Sequence, residues 1–156
     1  QQNFPDISSF TASQLIHYGK LIRRLLNEKY NFVHPTDDNI FGLSHIQWTG
    51  KPTKPGSTGR NAVLVGENAL DRSPCGTGTS ARMAQWYAQG KLKPGDAFIH
   101  ESYIGSQFVG RIEDETSILD RAAIVPSIEG WARIYGYNTI EIDPDDDPYA
   151  YGFQVI

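Results

Sequence analysis

A thiol, a carboxylate and a run of small residues crowd into Asp71-Arg72-Ser73-Pro74-Cys75-Gly76-Thr77-Gly78-Thr79-Ser80-Ala81. Cys75 is the chain's one cysteine. Pro74 cannot extend a helix backwards, and Gly76 and Gly78 are expected to supply tight, unusual backbone angles. The helix that follows is predicted over Thr79 to Gln89, with Gly90 as its stop. Ala81, Met83, Ala84, Trp86, Tyr87 and Ala88 cover most of its surface, leaving Arg82, Gln85 and Gln89 as a polar stripe. A helix apolar on nearly every side belongs in a core. Cys75 is therefore expected at the N-terminus of a buried helix, beside the unpaired N–H groups of Gly76, Thr77 and Gly78. The dipole at that end favours a thiolate, and the same N–H groups can bind a carboxylate. Such a pairing suits chemistry on an amino acid or another small acid. A lone cysteine is often an inert buried hydrophobe. The Gly/Thr setting and the carboxylate of Asp71 upstream argue against that here.

The elements that must position this stretch follow from periodicity. Asn61 to Gly66 is a short apolar strand feeding the Cys75 turn. Leu15, Tyr18, Ile22, Leu25 and Leu26 have the spacing of an amphipathic helix, which Thr11 or Ser13 can cap and which ends near Lys29. Lys20, Arg23, Arg24, Asn27 and Glu28 read as its solvated side. Residues 1–10 read as a lead-in loop or strand end. Tyr30–Val33 and Leu43–Thr49 are predicted strands, the second containing His45 and Trp48. Asp37, Asp38 and Asn39 are predicted as a turn, and residues 50–60 as a mobile surface loop. After the buried helix come candidate strands at Ala97–Ser102, Gln107–Glu113, Ala122–Ser127, Gly130–Tyr135 and Thr139–Asp143. Glu113–Glu115 and Asp143–Pro148 read as exposed acidic loops. Two helices among many strands imply an α+β domain with the second helix wrapped by sheet.

Composition narrows the partners. The 156 residues suit one domain, and a net charge of −4 gives no general reason to expect nucleic acid or an anionic membrane. One cysteine excludes an internal disulfide framework. A free thiol fits a reducing cytosol, so the expected location is cytoplasmic. No apolar run is long enough for a transmembrane helix, and no secretory signal is present. Zinc-ligand spacing, an EF-hand loop, a P-loop and a dinucleotide fingerprint are all missing, so no metal is expected.

DRSPCGTGTSARMA resembles the second active-site cysteine motif of the proline racemase and 4-hydroxyproline 2-epimerase family. LNEKYNF, LSHIQWTGKP, RNAVLVG, GKLKPGDAFIHES, IVPSIEGWAR and GYNTIEID resemble that family's C-terminal half, closest to the epimerase branch. The resemblance covers nearly the whole chain. It implies the diaminopimelate epimerase-like fold, with a curved β-sheet wrapped around a central helix in each of two lobes. It also implies cofactor-independent inversion at the α-carbon of 4-hydroxyproline, trans-4-hydroxy-L-proline to cis-4-hydroxy-D-proline. Two thiols on opposite faces of that carbon act as base and acid. By position, Cys75 is one of these catalytic thiols, Gly76 and Thr77 contact the substrate carboxylate, Asp71 faces the ring nitrogen, and His45 lines the pocket. A homodimer is common in the family.

The family's other cysteine lies in a Met-Cys-Gly-His stretch of the N-terminal half, which this sequence lacks. The sequence also opens without methionine. Residues 1–156 are therefore expected to be the C-terminal portion of a two-lobed epimerase, with the N-terminal lobe as the missing partner, and to be inactive alone. The alternatives are a proline racemase on the same scaffold, a non-catalytic amino-acid-binding fragment, and a cysteine hydrolase using His45 or His100. Dehydration of trans-3-hydroxyproline, the family's third activity, usually has threonine where Cys75 stands.

Overall fold

The computed structural model describes residues 4–152. A 3-10 turn at Ile7–Ser9 leads into helix α1, Ala12–Lys29. Thr11 caps α1 in a complete capping box: its hydroxyl accepts the Gln14 N–H, and the Gln14 side chain reaches back to the Thr11 N–H. Strands β1 (Val33–His34) and β2 (Asp37–Phe41) form a separate antiparallel ribbon. The main sheet contains β3 (Ile46–Gly50), β4 (Gly59–Val65), β5 (Ala69–Leu70), β6 (Ala97–Glu101), β7 (Gln107–Ile118) and β8 (Arg121–Glu129). Its order is β3-β4-β6-β7-β8, with β5 paired to β4. The β4–β6 pair is parallel and the other pairs are antiparallel. Helix α2, Gly76–Ala88, supplies the connection a parallel pair requires.

The helices cover opposite faces of this sheet. On one side Leu15 of α1 packs with Ile7, Ala62 and Trp48. Gly19 brings α1 against Leu64: a methyl group there would lie 3.0 Å from the Leu64 side chain. On the other side Met83 of α2 packs with Leu92, Phe98 and Ile112, flanked by Trp86, Tyr87, Ile124 and Ile128. The result is the expected α+β lobe.

Several local expectations are corrected. Burial of α2 is confined to the stripe through Thr79 and Met83, while Ala81 and Ala88 are exposed. The sheet reaches only that stripe. Asp37–Asn39 begins a strand instead of a turn; both faces of this small ribbon meet water, so it carries no apolar alternation. Glu113–Glu115 lies inside β7 at a bulge opposite Pro126, not in a loop. The irregular ladder accommodates a proline that regular pairing would exclude. Gly130–Tyr135 and Thr139–Asp143 are not strands: residues 130–142 form no regular element. Trp131, Ile134, Tyr135, Tyr137, Ile140 and Ile142 are each at least 65% exposed along this arm.

Residues 51–58 are anchored, not loose. The buried Glu101 carboxylate accepts the Thr53 and Lys54 N–H groups at 2.9 and 3.0 Å, and the Thr53 hydroxyl as well. Burial alone would raise the Glu101 carboxyl; these hydrogen bonds and the Arg60 charge instead hold it below its usual range. No helix among the described residues is long and apolar enough to cross a membrane.

Candidate active site

The polypeptide turns from β5 into α2 through side chains that hydrogen-bond the backbone ahead of them. The Asp71 carboxylate accepts the Ser73 N–H at 2.8 Å, and the Ser73 hydroxyl accepts the Cys75 N–H at 3.0 Å. Cys75 is the N-cap of α2, and its Sγ accepts the Gly78 N–H at 3.3 Å. The cysteine stands where a capping hydroxyl or carboxylate is usual. It is 8% exposed. Among the described residues, no acceptor reaches the N–H groups of Gly76 or Thr77. Thr77 is exposed, and the space beside the Gly76 Cα is open to 4 Å. A thiol and unpaired N–H donors therefore share one helix end, an arrangement suited to an anionic group beside sulfur.

The unusual backbone angle falls on Cys75 itself, at φ 64° and ψ 118°. Gly76 and Gly78, expected to carry it, do not have positive φ. A non-glycine residue held in such a region costs about 1–3 kcal/mol. Gly78 lets Gln47 come close instead: a methyl group there would displace the Gln47 side-chain oxygen.

Buried polar groups hold this turn from below. The Asn61 amide donates to the Pro74 carbonyl at 2.7 Å. The Thr79 N–H donates to the Cys75 carbonyl at 2.8 Å. Nδ1 of His100 lies 2.9 Å from the Thr79 hydroxyl and 3.4 Å from the Asn61 amide nitrogen. Burial, with the Arg82 charge, lowers the His100 imidazole from 6.5 to about 4. Farther out, the Ser106 hydroxyl donates to the Arg72 carbonyl at 2.8 Å.

The structure thus brings Asp71, Cys75, Gly76 and Thr77 together. His45 stands apart: it precedes β3, is exposed, and its Nδ1 lies 2.7 Å from the Ser44 hydroxyl. No hydrogen bond among the described residues joins it to the Cys75 turn. Gln47, two positions along, does reach that turn through the Gly78 contact. The peptide before His45 is fixed by α1. Asn27 exchanges two hydrogen bonds with the Leu43 backbone, and Arg23 donates to the Ser44 carbonyl at 3.0 Å. These residues were expected merely to face solvent. Sequence inspection also missed Ser73, Asn61, Thr79 and Gln47. Only Ser73 left a local signal, the alternation Asp-x-Ser-x-Cys. Among the described residues no cluster of His, Cys, Asp and Glu could hold a metal.

Comparison with known proteins identifies the scaffold. The family model described as proline racemase matches residues 1–154. The chain belongs to the proline racemase family. It is 62% identical over 156 residues to a 4-hydroxyproline 2-epimerase from Spirosoma linguale, covering 100% of this chain and 46% of that protein. It is 60% identical over 155 residues to a 4-hydroxyproline epimerase from Brucella ovis, covering 99% of this chain and again 46% of the relative. The chain therefore spans about half the length of the curated relatives it matches. Two crystal structures share its fold at 32% identity. One is a hydroxyproline epimerase from Agrobacterium vitis with bound trans-4-hydroxy-L-proline, with TM-score 0.75 over 94% of this chain and 43% of that one. The other is a probable proline racemase from Agrobacterium radiobacter with bound carbonate, with TM-score 0.76 over 96% and 45%. The epimerase-like fold of this family agrees with the two helices and mixed sheet.

Proposed function

We propose that these residues are the C-terminal portion of a 4-hydroxyproline 2-epimerase and that Cys75 is one of its two acid/base thiols. The observation that carries this reading is the open end of α2, where the thiol and the free N–H groups of Gly76 and Thr77 stand side by side. The substrate carboxylate binds those N–H groups, which stabilise charge as the α-carbon becomes carbanion-like. The Cys75 thiolate takes the α-proton and becomes a thiol. The electron pair stays on the substrate, and an opposed thiol in the absent half supplies a proton to the other face. Inversion needs both groups because a single base returns the proton to the face it came from. Asp71 has one oxygen occupied by the Ser73 N–H, and its carboxylate serves the substrate's ring ammonium. His45, which stands apart from the turn in this part of the protein, is assigned to the substrate pocket by the family resemblance alone. No cofactor takes part in this scheme.

The partner this reading requires is the other lobe. The exposed apolar arm beyond β8 supports it, because large side chains so open to water imply a covering surface. The lobe works in the cytoplasm, and the intact protein is a homodimer. Proline racemisation on the same scaffold is the second reading, favoured by the Agrobacterium radiobacter likeness. In the intact protein, Cys75→Ser should abolish both epimerisation of trans-4-hydroxy-L-proline and α-proton exchange in heavy water. Unchanged epimerisation would remove Cys75 from its role, and faster turnover of proline than of hydroxyproline would select the second reading. The 156-residue chain alone should invert neither substrate.

A further inference from the structure

Two carbonyls flank the strained Cys75 residue, and each is held by a group tied to the same buried ring. The carbonyl before it, on Pro74, accepts the Asn61 amide at 2.7 Å. The carbonyl after it, on Cys75 itself, accepts the Thr79 N–H at 2.8 Å. The side chains of Asn61 and Thr79 converge on Nδ1 of His100, at 3.4 and 2.9 Å. A carbonyl only accepts, so the bond to Pro74 identifies the Asn61 group as its NH2. That NH2 turns its remaining proton toward Nδ1, and the single Thr79 hydroxyl proton has two acceptors in reach, Nδ1 at 2.9 Å and the Pro74 carbonyl at 3.3 Å. His100 is 1% exposed. It lies on β6, two residues from Phe98, whose ring centroid is 4.9 Å away. Its neighbours are Gly59 and Asn61 on β4, Thr79 and the Arg82 charge on α2, and Phe108 opposite on β7.

We propose that His100 is a positioning residue for Cys75: its Nδ1 fixes Asn61 and Thr79, which hold the peptides on both sides of the thiol. This rests on the assignment of Cys75 proposed above. Geometry gives the reason. Cys75 occupies a backbone region that a cysteine leaves when unsupported, and the local bonds from Ser73 and Gly78 constrain only its N–H and sulfur. The Pro74 carbonyl is restrained from the sheet and the Cys75 carbonyl by the first turn of α2. A neutral imidazole suits the task because a protonated Nδ1 would turn a donor against the Asn61 NH2. Burial and the Arg82 charge keep it neutral.

The test uses the intact protein and trans-4-hydroxy-L-proline. Thr79→Val and His100→Leu should each lower kcat by roughly ten- to a hundredfold, the effect of slightly misplacing a reacting group, while KM changes much less. The double variant should be no slower than the worse single one, because both break one junction. His100→Asn, which offers an acceptor oxygen near the Nδ1 position, should recover most of the loss. Fully additive losses, a His100→Asn variant as slow as His100→Leu, or unchanged kcat in folded variants would each overturn the proposal. If His100→Leu fails to fold, Thr79→Val decides alone, since it removes one hydroxyl at nearly constant volume. Activity surviving in Cys75→Ser would overturn the underlying assignment instead. A dead Cys75→Ser with an unimpaired Thr79→Val would overturn this inference only.

Discussion

The end of α2 and the arm after β8 differ sharply in how they are satisfied. Around Cys75, Ser73, Gly78, Asn61, Thr79 and His100 form one connected set of hydrogen bonds, and the N–H groups left open face outward at Gly76 and Thr77. Along residues 130–142, isoleucines and tyrosines lie open and the backbone enters no ladder. The first region is built to hold one geometry by itself. The second has the composition of a strand without the neighbours that make one. The difference separates the geometry these residues fix among themselves from the apolar surface they leave uncovered.

The largest expected effect strikes beneath the first region. Met83→Ala opens a cavity under α2 and should cost about 2–5 kcal/mol, read from chemical denaturation of the intact protein. A loss below about 1 kcal/mol would mean that the sheet does not hold α2 by this contact. Next comes the arm. Ile134→Asp with Ile140→Asp should change stability by no more than ~0.5 kcal/mol in the 156-residue chain, where both side chains face water. On the proposed two-lobed reading, the same pair should cost about 2 kcal/mol or more per site in the intact protein, because each would bury a carboxylate against the other lobe. Equal effects in the two settings would erase the contrast. A further effect concerns acid. His100 falls from 6.5 to about 4 on folding, so between those values the unfolded chain holds a proton that the folded chain does not. Its stabilising contribution is complete above pH 6.5 and is lost as pH falls toward 4. Thermal melts on either side of that window should show the decline, and His100→Asn should flatten it.

What could be seen in the sequence divides along similar lines. The thiol turn, both helices and the strand before the turn were legible, because proline, glycine and apolar spacing act locally. Thr11, one of two candidate caps, does cap α1, and Gly90 marks the stop of α2. The network under Cys75 was not legible: Asn61, Thr79 and His100 meet only after β4, α2 and β6 assemble. Arg23 and Asn27 looked like solvent-facing helix residues because nothing local reveals the carbonyls of Leu43 and Ser44 beside them. The strand pattern of Gly130–Tyr135 and Thr139–Asp143 is present in the residues, but alternation predicts a pleat only where another strand supplies its hydrogen bonds. Glycine permissiveness was assigned to Gly76 and Gly78 because glycine tolerates any angle. The structure spends that angle on the residue between Pro74 and Gly76.

The positive φ of Cys75 has an evolutionary side. Glycine would rest at that position without strain, so selection for folding alone would drift toward it. A cysteine there carries strain that a glycine would not. In a descendant released from its chemistry, this thiol would be among the first groups to disappear, and its loss would make the fold more stable.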